Sequence, residues 1–271
     1  YHPLPGASPN KLAKPNLILL AIGISNYADP LRLKWADADA RQVFESFKRQ
    51  EGKLFGHVEA RLLAAGEDRA GQSEISAALQ WFEGLQGEQS DLRILFFSGH
   101  GTLAEDGNFY FVSQDQAADK DPKLAGIDWS RFLTSLAKGQ GTQILMVDAC
   151  HAAAATGPAL ARVDLTEVVK KQKIDHVAYR KIVAFTASTS TEPSLERDDW
   201  GGGHGAFTAA LLDGLAGKAD GFIGGEKDGK VDTLELSAWL IKRVPKLTDS
   251  QQHPLFDSGG TTPFPLFQVE P

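Results

Sequence analysis

Residues 92–101 read LRILFFSGHG and residues 144–151 read ILMVDACH. Each stretch begins with a short apolar run, 92–97 or 144–147, which is typical of a buried strand in a parallel sheet. We expect each strand to end where the polar residues begin, because functional sites in open α/β sheets form at the carboxyl ends of strands. If these strands are neighbours, about 5 Å apart, then His100 and Cys150 face each other as a general acid or base and a nucleophile.

Strand and helix patterns alternate along the rest of the chain. Further strands are predicted at residues 17–24, at 57–63 as a short edge strand, at 109–112 after a hairpin around 106–108, and at 182–188. Helices are predicted at 36–47, at 75–82 with Ser73 as a cap, at 128–136 with Asp128 as a cap, at 206–215, and at 233–244 with Asp232 as a cap. This order predicts an α/β fold with a mostly parallel central sheet and helices on both faces.

Composition narrows the function classes. The chain has 271 residues, of which 42% are hydrophobic and 23% are charged, as in ordinary globular proteins. Its net charge of −7 argues against nucleic-acid partners, and no apolar run reaches transmembrane length, so we expect neither nucleic acid nor membrane as a partner. A single cysteine cannot form an internal disulfide, and we expect a cytoplasmic location.

The chain begins at Tyr1, and we interpret it as part of a longer protein with further domains. Residues 1–15 contain four prolines and are predicted to form a Pro-rich tail, followed by a single domain over 16–271.

Cys150 has a context that is unusual for a buried structural cysteine. It stands between Asp148 and His151, and deep core positions rarely have such neighbours. His100 lies between two glycines, which let the backbone approach a ligand closely. The backbone N–H groups of Gly101 and Cys150 are therefore candidates for stabilising an oxyanion. His151 is a rival base, although adjacent strand residues point to opposite faces.

This pair of motifs, Ser98-Gly99-His100-Gly101 and Asp148-Ala149-Cys150-His151, resembles the caspase-like cysteine peptidases, above all the metacaspases and their bacterial relatives, the orthocaspases. Three further segments support the resemblance: residues 20–27, residues 33–40 with Asp39-Ala40 retained, and residues 203–212, which read GHGAFTAALL. The resemblance implies a caspase-hemoglobinase fold and a cysteine endopeptidase that works through a His100–Cys150 dyad with no obligatory third member.

The resemblance also implies a specificity. Asp148 stands where true caspases have a Gln, and metacaspases place this Asp and the one matching Asp39 in the pocket for the residue before the cleaved bond. A partly buried carboxylate pairs well with Arg or Lys and poorly with another acid, so we expect cleavage after Arg or Lys. Helical spacing alone leaves Asp37 and Asp39 equivalent; the family match selects Asp39.

The stretch 162–181 is basic, and we interpret it as an exposed connection between a large-fragment part, 16–161, and a small-fragment part, 182–271. An enzyme that cuts after Arg or Lys would find targets here, although an ordinary solvated charge run explains the pattern equally well. The candidate self-cleavage residues are Arg162, Lys170, Lys171, Lys173, Arg180 and Lys181.

No cofactor and no metal site is predicted, since no Cys or His spacing fits zinc. A calcium requirement stays open because many metacaspases have one, and Asp115, Asp119 and Asp121 supply oxygen ligands in one loop.

Two other functions remain open. The first is a catalytically inactive caspase-like binding or scaffold module, which is favoured by Ala149 and Ala152 where metacaspases usually have serines. The second is a related cysteine peptidase that joins peptides instead of hydrolysing them. For the endopeptidase, the expected partners are peptide or protein substrates, and the expected state is a monomer.

Overall fold

The computed structural model describes residues 13–64, 69–104, 108–117, 121–151, 179, 181–188 and 192–269, and for Leu103, Cys150 and His151 it describes the strand backbone. Residues 1–12 of the Pro-rich tail, and residues 162–178 and 180 of the basic connection, lie outside these ranges, so the predicted division of the chain into parts stays a prediction.

The described strands, in chain order, are β1 (Leu17–Gly23), β2 (Val58–Ala64), β3 (Leu92–Leu103), β4 (Phe109–Phe111), β5 (Ile127–Asp128), β6 (Thr142–His151), β7 (Val183–Thr186), β8 (Glu196–Arg197), β9 (His204–Gly205), β10 (Lys230–Asp232), β11 (Leu255–Asp257) and β12 (Pro265–Gln268). The main sheet has the order β11-β7-β6-β3-β1-β2, with β4 and β5 added beside β3. The pairs β2–β1, β1–β3, β3–β6 and β6–β7 are parallel, which confirms the mostly parallel sheet and the edge position of β2.

Helices cover both faces of this sheet, as predicted. Alternate residues of β1 point to opposite faces: Ile18, Leu20 and Ile22 pack into one apolar cluster and Leu17, Leu19 and Ala21 into the other. The first cluster includes α2 (Gln72–Gly84) and α3 (Trp129–Ala137). The second includes α1 (Ala36–Lys48), α4 (Ala206–Asp213) and α5 (Thr233–Leu247). The continuous apolar runs of the central strands thus reflect burial on both sides.

The two central strands are longer than the apolar runs, so the prediction that they end before their polar motifs is wrong. Strand β3 continues through His100 to Leu103, and β6 continues to His151. The reason is that β4 turns back antiparallel on Gly101–Leu103 and supplies hydrogen-bond partners beyond the apolar run.

Two of the three predicted helix caps are confirmed. The carboxylate of Asp128 accepts from the backbone N–H of Ser130 (2.7 Å), and Asp232 forms a capping box with Glu235. Ser73 does not cap α2, which begins one residue earlier. Instead, Asp115 from a distant loop accepts from the backbone N–H of Gln72 (3.0 Å).

Within the described ranges, no helix combines the length and the apolar character that a membrane span requires.

Candidate active site

The parallel register of β3 and β6 brings the two sequence motifs side by side. The Cα partners across the pair are Ser98 with Asp148, His100 with Cys150, and Gly101 with His151. Neighbouring strands lie about 5 Å apart. The histidine and the cysteine of the predicted dyad therefore occupy facing positions on two adjacent, central strands.

His100 is held by contacts on two sides. Its ring nitrogen Nε2 lies 2.7 Å from the carbonyl oxygen of Leu31, to which it can only donate, and its backbone N–H donates to the hydroxyl of Tyr27 (3.0 Å). The Tyr27 ring packs against the imidazole with centroids 4.9 Å apart. Among the described residues, Nδ1 is buried and has no hydrogen-bond partner. The neutral ring therefore carries its proton on Nε2 and leaves the Nδ1 lone pair available as a base.

Burial sets the charge state of this histidine. The side chain is almost completely enclosed, and this desolvation lowers the pKa of His100, while the hydrogen bond to the Leu31 carbonyl acts in the opposite direction. A lowered pKa keeps the imidazole neutral at physiological pH, which is the state that can accept a proton.

The glycines beside His100 are required by close packing. A Cβ on Gly99 would stand 2.7 Å from the hydroxyl oxygen of Tyr27, and a Cβ on Gly101 would overlap the ring of Phe109. The motif is therefore glycine-rich because two aromatic side chains occupy the space beside the strand.

Asp39 lies in the first turns of α1 and is 2% exposed. Its Oδ1 lies 2.8 Å from Nδ1 of His204 and accepts from the backbone N–H of Gly205 (3.3 Å), while its Oδ2 accepts from the Ser98 hydroxyl (3.0 Å). Asp37, the alternative on the same helix, accepts a hydrogen bond from the Ser25 hydroxyl (2.5 Å). It does not line the small cavity that Asp39 borders. The structure thus separates the two acids that helical spacing left equivalent.

Asp148 is buried beside Asp39 and is held by hydroxyl and amide groups. Its Oδ1 accepts from the Ser194 hydroxyl (2.6 Å), and its Oδ2 accepts from both the backbone N–H (3.1 Å) and the hydroxyl (2.7 Å) of Thr208. Among the described residues, neither Asp39 nor Asp148 has a Lys or Arg within ion-pair distance. The two acids therefore form a buried acidic site that has no Lys or Arg partner among the described residues.

Both acids border a narrow cavity of about 30 Å³ next to the His100 strand, which is room for about two water molecules. Its walls are formed by Leu33, Ala36, Asp39, Ser98, Gly99, Asp148, Ser194, Leu195, Glu196 and Gly205. Desolvation raises the pKa of Asp148 and raises that of Asp39 to about 7, with the neighbouring Asp148 charge adding to the rise at Asp39. A cationic side chain entering this cavity would remove that cost of ionisation.

Sequence reasoning missed several groups that build the site. His204 was not singled out as a site residue, but it is 7% exposed and lies on β9 in contact with Asp39. Leu31 and Tyr27 were not singled out, although they hold His100. His204 could have been found from its place between two glycines directly before a helix, since flanking glycines also drew attention to His100.

The acidic loop considered for calcium is engaged internally where it is described. Asp115 pairs with Arg69 as well as with α2, and Asp121 accepts from the backbone N–H of Lys123 (3.0 Å). Asp119 lies outside the described residues. Within the described part of the chain, no group of three or more His, Cys, Asp or Glu side chains is arranged to hold a metal ion.

Most self-cleavage candidates fall outside the described residues; these are Arg162, Lys170, Lys171, Lys173 and Arg180. Lys181 is described, and its side chain is exposed in the turn before β7.

Comparisons with known proteins agree with this architecture. The fold is similar to that of protein GSU0716 from Geobacter sulfurreducens, known from a crystal structure, with a TM-score of 0.57 and 17% sequence identity over 92% of this chain and 95% of that chain. At this identity the likeness shows the fold alone. No curated protein matches the chain in sequence. The family model of the peptidase group described as the caspase domain matches residues 17–264. The chain therefore belongs to the caspase domain family of cysteine peptidases.

Proposed function

We propose that the chain is a cysteine endopeptidase that cleaves peptide bonds after Arg or Lys, with Cys150 as nucleophile and His100 as general acid and base. The observation that carries this proposal is the register of β3 with β6, in which His100 and Cys150 are partners. Nδ1 of His100 supports it as well, since it is buried and has no hydrogen-bond partner among the described residues, a costly arrangement that a catalytic base explains.

The reaction follows from these groups. His100 accepts the thiol proton of Cys150 at Nδ1, and the sulfur attacks the carbonyl carbon of the substrate. The backbone N–H groups of Gly101 and Cys150 stabilise the negative oxygen that forms. The proton then passes from His100 to the leaving amine, the C–N bond breaks, and an acyl-enzyme thioester remains. Water, deprotonated by His100, hydrolyses the thioester and restores the free thiol.

The specificity proposal rests on charge and burial. Asp39 and Asp148 are desolvated carboxylates without a Lys or Arg partner among the described residues, so an incoming guanidinium or ammonium group would supply the missing counter-charge. A basic side chain needs more room than about 30 Å³. The cavity would therefore have to widen when such a side chain enters.

The same specificity implies self-processing in the basic connection at 162–181. We expect the wild-type chain to release two fragments on incubation and the Cys150→Ala chain to stay intact, as measured by intact-mass spectrometry. Wild-type chains that remain whole would remove self-processing from the proposal without touching the dyad.

The decisive experiment is hydrolysis of matched fluorogenic peptides that end in Arg, Lys or Asp, by wild type and by Cys150→Ala, with and without calcium. The proposal requires release from the Arg or Lys peptides and none from the Asp peptide, with all signal lost in the variant. Cleavage after Asp would keep the dyad and overturn the acidic pocket. A lack of cleavage under every condition would favour the binding or scaffold module.

A further inference from the structure

Among the described residues, His204 is the histidine whose ring contacts Asp39, one of the two acids of the cavity, and its position is tightly determined. The ring is about nine-tenths buried, and Nδ1 lies 2.8 Å from Oδ1 of Asp39. When Asp39 is ionised its carboxylate only accepts, so Nδ1 then carries the proton and donates.

The backbone around His204 aims the ring at Asp39. His204 pairs with Arg197 in the short β8–β9 hairpin. On one side Gly203 has φ +118, and a Cβ there would overlap the ring of Trp35 at 2.5 Å. On the other side the backbone N–H of Gly205 also donates to Asp39. Two donors from adjacent residues, the His204 ring and the Gly205 backbone N–H, therefore meet at the same carboxylate oxygen of Asp39.

The two acids differ in their donors. Asp148 is held by neutral hydroxyl and amide groups from Ser194 and Thr208, whereas Asp39 alone receives a hydrogen bond from a group that can become cationic. In a site that disfavours negative charge, the imidazole donor is the contact that stabilises the ionised form of Asp39 most directly.

We propose that His204 is a positioning residue of the basic-residue pocket: its Nδ1–H holds Asp39 as a carboxylate and turns it towards the cavity, so that the pocket binds Arg or Lys. This inference rests on the proposed function. It adds to that function a third side chain which sets the charge of the pocket without touching the substrate.

Other charged groups near the His204 ring also influence the titration of Asp39. They are Asp148 and Glu196, which line the acidic cavity, and Arg49 and Asp213, which together with His204 line a second cavity of about 430 Å³. The test therefore compares variants at one pH and follows Asp39 directly.

The test uses three variants of His204 that differ in whether and where they place a hydrogen-bond donor. Asn places its amide near the Nδ1 position, Gln places it near Nε2, and Leu has no donor. The carboxyl carbon of Asp39 is followed by NMR in protein labelled with ¹³C at Asp, with the Asp39→Asn spectrum as assignment. In parallel, kcat and KM are measured on Arg and Lys peptides at pH 7.

We expect the titration midpoint of Asp39 to rise by about one pH unit in His204→Leu and His204→Gln, and to stay near the wild-type value in His204→Asn. At pH 7 this shift lowers the ionised fraction of Asp39 about fivefold, so we expect KM for Arg and Lys peptides to rise about fivefold in the first two variants, with kcat nearly unchanged and Asn restoring the wild-type KM. If the Leu variant does not fold, the Gln and Asn pair makes the same comparison.

An Asp39 midpoint that is the same in all folded variants would overturn the proposal, as would a loss of kcat with KM unchanged. If wild type cleaves neither Arg nor Lys peptides, the proposed function fails. In that case the titration midpoints of Asp39 in the NMR experiment alone decide whether His204 stabilises the ionised form of Asp39. The failure of the proposed function and the failure of this inference are therefore distinguishable.

Discussion

The Nε2 of His100 lies 2.7 Å from the carbonyl oxygen of Leu31, a residue 69 positions earlier in the chain. This contact fixes both the orientation of the ring and the nitrogen that carries the proton, because a carbonyl oxygen can only accept. It leaves Nδ1 as the nitrogen available to Cys150.

Replacing His100 tests its role as acid and base. In His100→Ala we expect kcat/KM on Arg peptides to fall by a factor of about 10²–10⁴, the usual contribution of general acid–base catalysis. His57→Ala is the matched control, because the exposed ring of His57 contacts only the carboxylates of Glu51 and Glu59 among the hydrogen-bonding groups described for it. An equal loss in both variants, or no loss in the first, would contradict the role.

The protonation of His100 can be observed directly by ¹⁵N NMR of the imidazole. Burial lowers the pKa of His100, so we expect its titration midpoint below the ordinary 6.5 and the neutral form to carry the proton on Nε2. The measurement is made in wild type and in Cys150→Ala, with His100→Ala for assignment. A midpoint above 6.5 in Cys150→Ala, or a proton on Nδ1, would be inconsistent with the structure.

Replacing Asp39 or Asp148 with asparagine keeps the shape of the pocket and removes one negative charge. We expect Asp39→Asn and Asp148→Asn to lower kcat/KM on Arg and Lys peptides by about tenfold or more, since a buried charge pair loses one partner. Asp37→Asn, on the same helix as Asp39, is the control and should leave this value near that of wild type. A similar loss in Asp37→Asn would mean that the helix, and not the pocket charge, was disturbed.

Gly205 separates the two carboxylates. A Cβ there would stand 2.5 Å from Oδ2 of Asp148 and 3.3 Å from Oδ2 of Asp39, so Gly205→Ala must push the acids apart. We expect a loss of about 1–3 kcal/mol in the free energy of unfolding, the typical cost of overpacking. In Gly84→Ala the added Cβ meets no atom within 4 Å, and stability should stay equal or rise slightly. Chemical denaturation of both variants makes the comparison.

The acidic site also predicts how stability depends on pH. Burial raises the pKa of Asp39 from 3.8 to about 7, so between these values the folded state holds a proton that the unfolded state has released. Its contribution to stability is full below pH 3.8 and is lost as the pH rises through 7. In thermal unfolding, we expect the Tm of Asp39→Asn minus that of wild type to increase from pH 5 to about pH 7 and to level off by pH 8. A difference that does not change with pH would show that Asp39 ionises in its ordinary range.

The sequence determined the architecture to a large extent. Apolar runs at 92–97 and 144–147 identified the central strands, and the spacing of the intervening helices indicated the parallel sheet. The ends of β3 and β6 were misplaced, because pairing with β4 is a hydrogen-bonding effect that extends a strand past its apolar residues. The pair His100 and Cys150 was found from local context, because each follows a run whose burial is evident in the sequence itself.

The partners of these groups were decided only by the tertiary structure. Asp39 and His204 are 165 positions apart, and their contact depends on how α1 and the β8–β9 hairpin meet at the edge of the cavity. Local patterns report which face of an element is buried, since periodicity reflects burial. They carry no information on which buried polar groups will meet, because that choice depends on packing between elements distant in the chain. The sequence therefore determined the fold and indicated His100 and Cys150 as the candidate pair, and tertiary packing decided the hydrogen bonds that hold His100, Asp39 and Asp148.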